Sequence, residues 1–152
     1  MYSDGATVGL VADVFGYYPS TSNVVTAEPV RVFDSRNTAF TPPPGYRGAL
    51  NANVAVSIPV AGKAGVPMDA QAVLVSVTSI HSVRSTGTGN LRIFPADAGV
   101  PYISNVNYVS ATSDVANFAI VKLSANGQLS LYSDGSPIHA AVDVLGYVPA
   151  GS

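Results

Sequence analysis

The sequence predicts an all-β chain, an antiparallel β-sandwich with a jelly-roll-like arrangement, and a closed β-barrel as the alternative. Three observations carry that expectation. Apolar residues come in short, β-branched runs punctuated by Gly, Pro, Asn and Asp. Within the runs Val73, Val75 and Val77 alternate with Leu74, Ser76 and Thr78, the period of two that turns one face inward. No window sustains the period of a helix.

Strands are expected near 7–18, 29–34, 53–60, 71–81, 89–95, 102–109, 115–123, 127–133 and 137–148. The second follows Glu28-Pro29, which reads as a turn. Pro42-Pro43-Pro44-Gly45 and residues 62–68 are loops, because proline lacks the ladder donor. A single helical turn at Met68-Asp69-Ala70-Gln71 is the most helix the pattern allows. The fifth strand, Asn90-Leu91-Arg92-Ile93-Phe94, weakly echoes Gln128-Leu129-Ser130-Leu131-Tyr132. Asn126-Gly127 and Asp134-Gly135 carry tight-turn chemistry, and they predict that 115–123, 127–133 and 137–148 form a three-stranded antiparallel meander.

Composition narrows the function. At 152 residues the chain is most simply one domain. Hydrophobic residues make up 47% and charged ones only 11%, so the surface is polar but largely uncharged. The net charge is −2 and the seven basic residues are scattered, which leaves no footprint for nucleic acid or an anionic membrane. No apolar stretch reaches the length of a spanning helix, so no membrane insertion is expected. The absence of cysteine excludes disulfides and thiol chemistry.

The chain carries its last element twice. Tyr2-Ser3-Asp4-Gly5 returns as Tyr132-Ser133-Asp134-Gly135, a shift of 130 positions (132 − 2). In the same register Asp13-Val14-Phe15-Gly16-Tyr17-Tyr18-Pro19 falls on Asp143-Val144-Leu145-Gly146-Tyr147-Val148-Pro149. Such repetition is the mark of a tandem array. It divides the chain into 1–22, the terminal strand and linker of a preceding unit, and 23–152, one complete repeat. Both copies prefer the same slot, because pattern sets register and facing. Val8, Val11, Asp13, Phe15 and Tyr17 therefore mark an assembly strand, and neighbouring copies of the repeat, in the chain or between chains, are the expected partners.

Candidate chemistry is sparse. Asp13 and Asp143 lie in strongly apolar strands and are expected to accept backbone or arginine hydrogen bonds. In Arg31-Val32-Phe33-Asp34-Ser35-Arg36, strict alternation puts Asp34 and Arg36 on one face, where they can pair, and Arg31 on the other. His81 and His139 are the only histidines, and neither has a partner at ligand spacing. No Gly-x-Ser-x-Gly elbow is present, and Glu28 is the only glutamate. These features argue against an enzyme, a metal site or a cofactor. Of the eight tyrosines, Tyr46, Tyr102 and Tyr108 fall in or beside loops, where rings can stack on sugar faces.

Three motifs then appear in order: Arg31-Val32-Phe33-Asp34-Ser35-Arg36, residues 59–67 (Pro-Val-Ala-Gly-Lys-Ala-Gly-Val-Pro) and Asp143-Val144-Leu145-Gly146-Tyr147. With them the chain resembles a β-rich repeat of large secreted and surface proteins of actinobacteria and related bacteria, roughly as long as residues 23–152 here. The resemblance implies a non-catalytic accessory module and a secreted or cell-surface location. No signal peptide opens the sequence, so an export signal is expected elsewhere in the parent protein. The expected function is an extracellular structural or adhesive repeat that associates through its duplicated strand. The alternative is a carbohydrate-binding accessory module.

Overall fold

The computed structural model describes residues 17–37, 39–40, 48–81, 87–109 and 113–151. They form eight strands: β1 Val25–Asp34, β2 Ala55–Pro59, β3 Ala72–Ile80, β4 Thr88–Pro95, β5 Val106–Val109, β6 Val115–Lys122, β7 Gln128–Gly135 and β8 His139–Val148. Among the described residues there is no helix. Met68 and Asp69 form only a turn, with Ala70 N–H donating to the Pro67 carbonyl at 3.2 Å. The expected strand at 7–18, with Val8, Val11, Asp13 and Phe15, lies outside the described residues apart from Tyr17 and Tyr18.

Two four-stranded sheets face each other, ordered β1-β8-β3-β6 and β2-β7-β4-β5, and every pairing is antiparallel. Only β4 and β5 are both consecutive and paired; all other consecutive strands sit in opposite sheets. This is the connectivity of a jelly roll. The barrel alternative is not met, because each sheet ends in open edge strands: β1 and β6 in one, β2 and β5 in the other.

The expected C-terminal meander is therefore corrected. β6 pairs with β3, β7 with β2 and β4, and β8 with β1 and β3. Asn126-Gly127 does make a tight turn, with Gly127 N–H donating to the Ser124 carbonyl at 2.8 Å and φ of +67° at Gly127. That turn carries the chain across the sandwich rather than back along one sheet. The Gly127 carbonyl accepts from both Val60 and Ala61 N–H, at 3.1 and 2.9 Å, and so ties the turn to the loop after β2. A Cβ at 127 would stand 2.2 Å from the Ala61 methyl, so only glycine fits. Asp134-Gly135 is not a turn; it ends β7, opposite Asn90 and Gly89 of β4.

Alternation builds the core. Val73, Val75 and Val77 of β3 and Ala140, Val142 and Val144 of β8 point inward, against Leu91 and Ile93 of β4 and Leu129 and Leu131 of β7. Residues 59–67 form a compact loop that seals one end. Gly62 N–H donates to the Val66 carbonyl at 2.8 Å, and Val66 N–H to the Lys63 carbonyl at 2.8 Å. That fold drives Val60 and Val66 into the core, and full burial of each contributes about 1.5–3 kcal/mol. Val60 and Val66, at the two ends of Val-Ala-Gly-Lys-Ala-Gly-Val, thus serve as an apolar plug.

Candidate functional site

The densest polar cluster joins β1 to β8. Asp143 sits opposite Arg31 in the ladder and takes its guanidinium in a two-point grip, Nε to Oδ1 at 2.8 Å and Nη2 to Oδ2 at 3.0 Å. Arg31 Nη1 also donates to Asp34 Oδ2 at 3.1 Å. Strict alternation would put Arg31 and Asp34 on opposite faces. A register shift between Arg31 and Phe33 brings them together, a bulge that the sequence pattern did not reveal.

Asp34 is the hub. Its Oδ1 accepts from Arg36 N–H at 3.0 Å and from Arg36 Nε at 3.0 Å, and its Oδ2 accepts from Arg36 Nη2 at 2.9 Å. The Arg36 side-chain bonds are the largest cause that lowers its pKa, from 3.8 to about 2, against burial pushing the other way. With its oxygens filled by two arginines, Asp34 has no basic role to play. It pins the chain as it leaves β1.

Ser35 extends the β1–β8 pairing. Its N–H donates to the Ala140 carbonyl at 3.0 Å, and its Oγ accepts from Ala140 N–H at 3.0 Å while lying 2.9 Å from His139 Nδ1. Burial first, then the Arg36 charge, hold the His139 imidazole below its ordinary pKa, which keeps the ring neutral at pH 7. The serine oxygen is thus a strand-end cap, engaged on both sides. His81 has a carboxylate partner that sequence spacing hid. Asp114, 33 positions on, accepts from His81 N–H at 2.8 Å and lies 2.6 Å from Nδ1. The two residues flank the first rung of the β3–β6 ladder, Ser79 opposite Val115.

The tyrosines fall into three environments. Tyr46 and Asp13 lie outside the described residues. Tyr102 is fully exposed, and Tyr17 nearly so. Tyr108, expected in or beside a loop as a candidate ligand-binding ring, is instead a core residue. It lies in β5 at 4% exposure, and its hydroxyl is 2.9 Å from Ser133 Oγ and donates to the Ser136 carbonyl. Tyr147 packs half-buried against the core.

The residue that sequence reasoning missed is Tyr132. It stands on the outer face of β7, opposite Arg92 of β4, whose guanidinium carbon lies 5.5 Å from the ring centroid. The echo between β4 and β7 was the available signal, since the two echoing segments are neighbours in one sheet. Among the described residues, no group of three or more His, Cys, Asp or Glu side chains is placed to hold a metal ion. In comparisons with known proteins, no family model and no curated sequence matches the chain.

Proposed function

We propose that the chain is a non-catalytic repeat module of a secreted or cell-surface protein, structural or adhesive in role, whose neighbouring copies are linked through a strand made for the β8 slot. One observation carries this reading. Four residues of β8, Asp143, Val144, Gly146 and Tyr147, recur unchanged at a shift of 130 in the N-terminal segment. Asp143, which grips Arg31, recurs as Asp13. Gly146 recurs as Gly16; a Cβ at 146 would stand 2.4 Å from the Val25 carbonyl oxygen, so the slot admits only glycine. Tyr147, packed against the core, recurs as Tyr17.

The inward positions differ in a compensating way. Leu10 stands for Ala140 and Ala12 for Val142, so volume added at one site is nearly removed at the next. The segment 8–19 therefore reads as the β8 of another unit, with its core slightly rearranged. The resemblance to secreted actinobacterial repeats and the low charge of the surface agree with an extracellular setting. The buried, doubly engaged Ser35 and the arginine-filled Asp34 support a structural rather than a catalytic role for the chain's most polar cluster.

Replacing residues 138–149 with the sequence of 8–19 tests the slot assignment. The grafted chain is expected to fold cooperatively, losing about 1–3 kcal/mol from the shifted core volumes. A scrambled segment of the same composition should not fold. Equal failure of graft and scramble would refute the reading.

A further inference from the structure

We infer that the outer face of the β2-β7-β4-β5 sheet is a binding site for a neutral oligosaccharide, independent of the assembly reading above. Ladder register puts its residues on one face. Tyr132 and Asp134 of β7 stand opposite Arg92 and Asn90 of β4, and Asn90 stands opposite Asn107 of β5. On the other flank Asn53 accepts the Tyr132 hydroxyl proton at 2.8 Å. The row crosses β5, β4 and β7 and ends on Asn53, which runs beside β7 just ahead of β2, about 14 Å at a strand spacing of about 4.8 Å, the footprint of a short glycan chain.

The floor of this face is held rigid. Arg92 donates from Nε to Asn90 Oδ1 at 2.9 Å, from Nη1 to the Pro101 carbonyl at 2.8 Å and from Nη2 to Asp134 Oδ2 at 2.7 Å. Its guanidinium lies over the Tyr132 ring. The Arg92 charge is cancelled by Asp134, so the row is neutral and has no pull on an anion. A hydroxyl-rich, uncharged ligand fits that balance.

The donors are left open. Asn53, Asn90 and Asn107 each have the side-chain oxygen occupied, by Tyr132, Arg92 and Ser104 respectively. None of the three amide nitrogens has a partner among the described residues. A network that served only the sheet would close on itself; this one fixes three amides by their oxygens and leaves their N–H groups unpaired among the described residues. Asn53 is held in the left-handed region at φ of +62°, which further fixes where its amide stands. The Pro101 bond anchors the 96–105 loop beside the row, and the next residue is Tyr102, wholly exposed. Its ring is exposed for stacking on a sugar face. A hollow of about 500 Å³, lined in part by Asn90 and Asn107, opens at the β5 end and gives the ligand room to continue.

The test is titration calorimetry of the full chain against cello-, xylo-, manno- and chito-oligosaccharides at millimolar concentration. Binding to at least one is expected, weakened about tenfold or more by Tyr102→Ala and by Asn107→Ala, two exposed side chains outside the core. Phe118→Ala, on the outer face of the other sheet, should leave the affinity unchanged. No binding to any of the four series overturns the inference. So does a ligand whose affinity Phe118→Ala lowers as much as the other two substitutions do.

Discussion

Asp34 shows how a single carboxylate can be decided by its neighbours. Two arginines fill its oxygens and hold its pKa near 2, below the 3.8 of the free side chain. A depressed pKa means that the folded state prefers the ionised form. The resulting stability is complete above the unfolded value, and it is lost as pH falls through the folded one. The Arg36 side chain is half exposed, so solvent screening reduces the effect to about 1–2 kcal/mol. Urea denaturation of the wild type should therefore show a loss of that size between about pH 4 and pH 2. Asp34→Asn should be less stable at pH 7 by a similar amount and flatter across the acid window. Parallel curves for the two proteins would show that the arginine grip contributes nothing.

At the scale of elements, the sequence made the strands legible but not their partners. Six of the eight observed strands fall within two residues of an expected run at both ends, and β5 starts at Val106, four residues into its expected run of 102–109. β1 begins earlier, at Val25, because the turn-like Glu28-Pro29 lies at an irregularity inside the strand rather than before it. Period two identifies a strand and its inner face, whereas pairing across a jelly roll depends on which loops cross the sandwich. Asn126-Gly127 looks the same in a hairpin as in a crossover; contacts from Val60 and Ala61, distant in sequence, decide between them. The Arg31–Asp34 contact was hidden for a related reason, since a bulge changes facing without changing composition.

β6 illustrates a further device of this kind. It is an edge strand with Phe118 and Ile120 about half exposed, the profile of a surface that recruits other strands. Asn117 blocks it. Its Oδ1 accepts the Phe118 N–H at 2.9 Å, and its Nδ2 donates to the Asn105 carbonyl at 2.8 Å, tying the edge to the loop before β5. Asn117→Val would remove both bonds and raise strand propensity at once. Association that rises more steeply with concentration than that of the wild type is the outcome expected in light scattering. A variant that stays at wild-type mass would assign the protection to other features of the edge.

For the whole molecule, the occupancy of the central slot sets the assembly problem. β8 is paired on both sides, with β1 and with β3, so the sheet has no vacancy for a second strand of the same pattern. The segment 8–18 nevertheless repeats the side chains that this slot selects. If that segment joins copies by strand exchange, it must displace the β8 of a neighbour, and the displaced strand must find the same slot elsewhere. Exchange of identical slots changes few contacts, so its equilibrium follows protein concentration more than contact energy. Deleting residues 1–20 removes the donor but leaves β1 through β8 whole. The deleted chain is expected to fold as a monomer with an unchanged unfolding midpoint, while the full chain forms oligomers that grow with concentration. Light scattering over a wide concentration range reads this directly. The same mass with and without the segment would exclude exchange and leave the repeat to act only within one continuous chain.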